Sequence, residues 1–144
     1  MLYPQVARLL FRLPPEDAHR LTLAALHGAL ATPGVDALIR RFCRPGSAPV
    51  EAFGQRFNHP IGLAAGFDKD ARHVDAMAAL GFAFVEVGSV TARACPGNER
   101  PRLFRLPEDG ALINRMGLNN GGVGAAVERL RAPRPVPVFV NVAK

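Results

Sequence analysis

Tryptophan is absent from this chain, tyrosine occurs once, and only two of its 144 residues are cysteine. Cys43 and Cys95 lie far apart and form no CxxC pair, so spacing supports neither a disulfide frame nor a thiolate zinc site. A reduced, cytosol-facing protein is the expectation. The four histidines, His19, His27, His59 and His73, have no metal-ligand spacing, so no metal is expected. HExxH, GxGxxG and an ordered Ser-His-Asp set are all missing. No apolar run reaches the ~18 residues a spanning helix needs. Met1-Leu2-Tyr3-Pro4-Gln5 lacks the basic head and cleavage site of a secretory signal. A nucleic-acid module would interleave aromatics with its basic residues. The only local candidate is Arg100-Pro101-Arg102-Leu103-Phe104-Arg105, and no nucleic-acid partner is expected.

Lysine is the scarcest charged type. Of 18 basic residues only Lys69 and Lys144 are lysine. Arginine is the default cation here, so an isolated lysine points to a need for a compact ammonium. Each lysine follows an apolar run, Ile61–Ala65 and Val136–Ala143. Loops after strands are where α/β proteins hold ligands. Two ordinary surface lysines are the competing reading. The net charge of +6 is shared evenly between residues 1–49 and 50–144. It permits anionic lipid, nucleic acid or an acidic ligand and selects none of them. A hydrophobic content of 49% is enough for a core.

Residues 1–45 read as helical. Tyr3, Val6, Ala7 and Leu10 share one face. Pro14-Pro15-Glu16-Asp17 breaks the chain and starts a second helix. Its expected stripe is Ala18, Leu21, Thr22, Ala25, Leu26, Ala29 and Leu30. Pro33-Gly34 stops it, and a third helix covers about 35–42. Arg44–Pro49 is linker-like. These helices must dock on the rest of the chain, on a partner or on a membrane surface, where Arg8, Arg12, Arg20, Arg40 and Arg41 would meet anionic headgroups.

From residue 50 the pattern changes. Val50–Phe57 predicts a hairpin turning at Gly54-Gln55, and Ile61–Ala65 a first buried strand. Asp70–Leu80 predicts a helix with Val74, Met77 and Ala78 inward, capped by Gly81. Phe82–Val87 is a second strand, Gly121–Arg131 a helix, and Val136–Val142 a third strand. Strand, helix, strand implies parallel pairing. A three-strand parallel unit has open edges, and a closed eight-fold barrel needs about 250 residues. The sequence thus looks like the front part of something longer.

Four short strings carry chemistry. Ala64-Ala65-Gly66 at a strand end lets a flat ligand approach the backbone. Gly88-Ser89-Val90-Thr91 offers hydroxyls to a ligand or to its own turn. Asn114-Arg115-Met116-Gly117-Leu118-Asn119-Asn120 suits a ligand with imide-like N–H and C=O groups, or a set of turns. Asn141-Val142-Ala143-Lys144 repeats the amide-plus-ammonium theme.

Leu63–Asp70, Glu86–Thr91, Pro96-Gly97-Asn98, Pro101–Leu106 and Ile113–Asn120, with Tyr3-Pro4 and Pro15–His19, resemble the class 2, quinone-dependent dihydroorotate dehydrogenases in order and spacing. The resemblance covers essentially the whole chain. It implies an α/β fold: a small helical domain, residues 1–45, that binds the membrane surface and forms a quinone tunnel, then residues 46–144 as the first part of an FMN-binding (β/α)8 barrel, incomplete in this chain. It implies oxidation of dihydroorotate to orotate in pyrimidine (UMP) synthesis, with quinone reoxidising the flavin. The full-length form is expected to be a monomer, held peripherally on the cytoplasmic side of the inner membrane.

By the same resemblance Ala65, Gly66, Phe67, Asp68, Lys69, Ser89 and Asn141 are FMN contacts. Lys69, Asn114, Arg115, Met116, Gly117 and Leu118 are substrate contacts. His19 and Arg105 line the quinone site. Ser89 stands where the family usually has Thr, and Leu118 where it often has Phe. The family's catalytic base, a serine after the fourth strand, and its phosphate site are expected beyond Lys144, so the 144 residues alone are expected to be inactive. The alternative is a helical membrane- or partner-binding module with a non-catalytic barrel remnant. The soluble class 1 enzymes lack the helical extension.

Overall fold

The computed structural model describes residues 3–144, the side chain of Tyr3 excepted, so the expected inward place of Tyr3 lies outside the described set. Three helices come first: α1 (Tyr3–Leu10), α2 (Pro15–Leu30) and α3 (Val35–Phe42). Pro15 occupies the first turn of α2, with Glu16 and Asp17 beside it at the positive helix end. The buried side of α2 differs from the expected stripe. Ala18 and Leu23 are buried and Leu26 and Leu30 half-buried, whereas Leu21 and Ala25 face outward. The helix meets the rest of the protein along a narrow seam, which a broad amphipathic pattern does not resolve.

Residues 50–57 form the hairpin β1 (Val50–Ala52) and β2 (Gln55–Phe57). Its turn is Phe53-Gly54, both with positive φ (53° and 70°), one residue before the expected place. This is the geometry a two-residue hairpin loop demands. Phe57, Phe84 and Phe139 stack around the hairpin, with ring centroids 5.4 to 6.3 Å apart.

The expected strand Ile61–Ala65 pairs only at Leu63, which bridges Val85 in parallel. Pro60 offers no N–H and Gly66 turns left-handed (φ 99°), so the ladder is cut at both ends. The helix expected from Asp70 begins only at Val74, giving α4 (Val74–Ala79). Ala71 has φ 55°, and the amides of Arg72 and His73 donate to the Asp68 carboxylate instead. Gly81 closes α4 with φ 93°, as expected.

Strand β3 (Val85–Val90) pairs in parallel with β6 (Val138–Val142), Val85 opposite Val138 and Val87 opposite Val140, with α5 (Gly122–Leu130) on the crossover. Between them lies a hairpin missing from the sequence reading, β4 (Leu103–Leu106) against β5 (Ala111–Asn114). One core joins Ala71, Val74, Ala76, Met77, Val85 and Val87 with Leu23 of α2. The helices therefore dock on their own chain. The described residues form no closed barrel: their sheets have two strands each.

Candidate functional site

An open cleft of about 1340 Å³ lies between α2 and the loops at the C-terminal ends of the strands. Its helical wall carries Glu16, His19, Leu23 and His27, with Phe11 at one end. Its opposite wall carries Gly66 to Asp70, Arg72, His73, Arg102, Arg105, Asn114, Met116 and Asn119.

The 66–73 loop is fixed from inside. Gly66 N–H donates to Gly88 O at 2.7 Å, and Gly88 N–H to Asp68 O at 3.0 Å. The Asp68 side chain is 1% exposed, and its two oxygens accept the amides of Arg72 (2.8 Å) and His73 (2.7 Å). Asp68, expected as a cofactor contact, is thus committed to holding the loop. Lys69 donates to Gly66 O across the cleft wall. Burial first, then the nearby Arg102 guanidinium, lower its pKa.

The 114–118 string is a compact turn. Asn114 Oδ1 accepts Met116 N–H at 2.9 Å. Gly117 (φ 72°) and Leu118 (φ 56°) both turn left-handed. Arg115 lies outside the cleft wall, over the Phe104 ring and donating to Pro101 O at 3.2 Å. Gly117 and Leu118 lie outside it too. Asn120 is structural: it is 8% exposed, and its amide bonds Thr91, Leu118 and Gly122.

Ala65, Ser89 and Asn141 form a separate cluster behind Gly66. Ser89 Oγ donates to Asn141 Oδ1. Asn141 Nδ2 donates to Glu86 Oε1 at 3.2 Å, and Ala65 N–H reaches Glu86 Oε2 at 3.4 Å. Sequence reasoning missed Glu86. The signal was there, as the one charge inside an otherwise apolar strand.

On the helical side His19 packs edge-on against Phe67, ring centroids 4.8 Å apart. Burial, then the Lys69 ammonium, lower its pKa. Arg105 Nη1 donates to Leu13 O at 2.6 Å and Phe11 O at 3.3 Å, with its guanidinium over the Phe11 ring. It caps the chain after α1. A side cavity of about 190 Å³ is lined by Leu10, Phe11, His19, Leu23, Phe67 and Arg105, among others.

The two walls are tied by Arg102, whose side chain is 6% exposed and to which sequence reasoning, placing it in a basic cluster and a family string, gave no role of its own. It meets Glu16 at 2.8 and 3.2 Å and donates to Pro96 O and Asn98 O. Arg100 adds a second contact to Glu16 at 2.9 Å. A further tie is His27 Nε2 to His73 Nδ1, 2.8 Å.

The family model described as dihydroorotate dehydrogenase matches residues 47–144. A Mycobacterium marinum protein named dihydroorotate dehydrogenase (quinone) is 54% identical over 99% of this chain and 41% of its own length. A protein of that name from Leifsonia xyli is 54% identical over 94% of this chain and 41% of its own. The crystal structure of DHODH from Eimeria tenella in complex with ferulenol superposes with a TM-score of 0.68 at 35% identity, covering 90% of this chain and 36% of that one. The chain thus spans about two fifths of the length of these relatives.

Proposed function

Since the chain belongs to the dihydroorotate dehydrogenase family, we propose that it supplies the helical domain and the first barrel units of a quinone-dependent enzyme that oxidises dihydroorotate to orotate with FMN in pyrimidine synthesis. One observation carries this reading: a single cleft has the Lys69 ammonium, Gly66 and Asn114 on one wall and His19 and Phe11 on the other. A small acid and a lipophilic acceptor can then meet one flat cofactor from two sides.

The residues present fit FMN. A Cβ at Gly66 would meet nothing within 4 Å, so the backbone there lies open to a ring. Ala65, Ser89 and Asn141 lie in the polar cluster directly behind it, and no residue around Lys69 brings bulk against Gly66. FMN, when bound, supplies the two-electron acceptor. Lys69 offers a compact, partly desolvated charge to a carboxylate. Asn114 keeps its Nδ2 donor for the substrate while its Oδ1 holds Met116, and Met116 lines the cleft. Arg115, Gly117 and Leu118 serve by shaping the turn that presents these two. The base that takes the substrate's carbon-bound proton is the serine that the family resemblance places beyond Lys144.

His19 and Arg105 belong to the acceptor side. Arg105 fixes the end of α1, and His19, held near neutrality by burial, presents an uncharged ring to a lipophilic head. Val6, Leu9, Leu21, Leu38 and Phe42 are exposed on the three helices, and Phe11 in the turn after α1. No single described helix is long and apolar enough to cross a membrane. We read residues 1–45 as a peripheral membrane contact on the cytoplasmic face of the inner membrane, and residues 46–144 as the FMN-binding part, in a monomeric enzyme.

The test is a chimera in which these 144 residues replace the matching segment of the Mycobacterium marinum relative. It is expected to purify yellow, to oxidise dihydroorotate with a soluble quinone, and to bind anionic vesicles. A folded chimera that takes up no FMN and leaves dihydroorotate untouched refutes the reading. Vesicle binding without either activity favours the helical membrane module.

A further inference from the structure

The inner face of the parallel pair changes character abruptly. Phe84 and Phe139 meet at one level, ring centroids 5.7 Å apart. One step along each strand stand Glu86 and Asn141, while the intervening Val85 and Val87 are fully buried on the other face. Glu86 is half-buried there, where an apolar side chain would also pack. Among the described residues no cation lies within 4.0 Å of Glu86 to offset its charge. Its contacts are both neutral donors, Ala65 N–H and Asn141 Nδ2. The two groups it holds sit on different strand ends.

We propose that Glu86 is a positioning residue of the flavin site, acting through Asn141; this rests on the function proposed above. The side-chain amide of Asn141 has two orientations that exchange its donor and acceptor. The Glu86 carboxylate accepts only, so it demands Nδ2. Ser89 Oγ donates to Oδ1 and fits the same choice. The amide is oriented by Glu86, with its second Nδ2 hydrogen left for the ligand. The third contact, to Ala65 N–H, pins the backbone next to Gly66. Glu86 thus sets which hydrogen-bonding group the cofactor meets without touching it.

The test uses the chimera, with FMN affinity read by fluorescence quenching and apo-protein melting read separately. Glu86→Gln is isosteric but turns one acceptor into a donor, so either Ala65 N–H or Asn141 Nδ2 loses its partner and the charge that orients the amide is gone. FMN affinity is expected to fall about tenfold, the loss of roughly one hydrogen bond to a charged group, with little change in apo melting. Asn141→Ala also weakens binding. The double variant is expected to be no weaker than Asn141→Ala alone, because Glu86 acts through that amide. Unchanged FMN affinity in Glu86→Gln, additive losses, or a fall in apo melting with affinity intact overturns the inference while leaving the flavoenzyme reading in place. A parent chimera that binds no FMN sinks both. Should Glu86→Gln not fold, Glu86→Asp replaces it: the shorter carboxylate keeps the charge but no longer reaches both Ala65 and Asn141, and the same fall in FMN affinity is expected. Unchanged affinity overturns the inference.

Discussion

Removing the Glu16 carboxylate is expected to loosen the helical wall of the cleft. Glu16 is 13% and Arg102 6% exposed, and two hydrogen bonds join them. Breaking a buried pair by removing one partner costs roughly 3–5 kcal/mol, because a desolvated charge is left behind. In Glu16→Ala the guanidinium of Arg102 keeps Pro96 O and Asn98 O, which places the loss at the lower end, about 3 kcal/mol. Arg100 is 55% exposed and adds less than about 1 kcal/mol. The assay is urea unfolding of the chimera by far-UV circular dichroism, since this chain has no tryptophan, with hydrogen exchange across Pro15–Leu30 as the local readout. Acid supplies an independent check. The Arg102 hydrogen bond, with the neighbouring arginines, holds the Glu16 carboxyl below the usual carboxylate range. A folded pKa below the unfolded one gives stability that is complete above the unfolded value and disappears as pH falls through the folded one. The parent should therefore lose stability faster than Glu16→Gln on acidification below that range. A loss under about 1 kcal/mol in Glu16→Ala, with unchanged exchange in α2, would mean that water reaches the pair and the wall is held otherwise.

Burial, partly offset by Asp68, lowers the pKa of His73, so the unfolded chain takes up its proton first as pH falls through the ordinary imidazole range. Thermal melts of His73→Asn should consequently fall less steeply between about pH 6.5 and 5 than those of the parent. Lys69 has a lowered pKa for the same main reason; Lys69→Met should leave stability unchanged or raise it by less than about 1 kcal/mol, while orotate affinity measured by calorimetry drops at least about tenfold. The glycines separate cleanly. A Cβ at Gly88 would sit 2.4 Å from Asn141 O with φ at 110°, so Gly88→Ala should part β3 from β6 and cost more than about 3 kcal/mol. Gly124 lies inside α5 with nothing within 4 Å, and Gly124→Ala should stabilise by about 0.5–1 kcal/mol in the same melt.

What the sequence disclosed about the fold follows from how local each cause was. The start of α2 at Pro15, the extent of α3 and the parallel pairing of the strands ending near Val87 and Val142 rest on proline geometry and apolar runs. The β4–β5 hairpin escaped because its strands are only four residues each, because β5 is wholly exposed, and because Pro101 and Pro107 flank the first of them. Its stabilising register, Phe104 opposite Ile113 and Leu106 opposite Ala111, exists only across the pair. The late start of α4 escaped for a different reason. Ala71 is a strong helix former, yet the Asp68 carboxylate claims the two amides that follow it, and a side-chain hydrogen bond at short range overrode propensity.

The site shows the same division, and it decides which substitutions will report on function. The resemblance points to side chains that meet ligands, and the structure brings Gly66, Phe67, Lys69, Asn114 and Met116 to one cleft with His19 and Arg105. The side chains that hold them there, Glu16, Glu86 and Arg102, carry no spacing of their own, because each acts on a residue 20 to 90 positions away. Asp68 is the opposite case: it stands inside the most informative string, beside Lys69, and lines the cleft, yet its oxygens serve the backbone. Substituting Asp68 should consequently unfold the loop together with the site, whereas substituting Lys69 should remove chemistry from an intact loop. Asp68→Asn keeps one acceptor oxygen, so one of the two amides is satisfied and the other faces the new NH2 donor; it is expected to lower the melting temperature by several degrees. FMN uptake should fall only in proportion to the folded fraction. Normal melting with lost FMN would return Asp68 to the list of direct cofactor contacts.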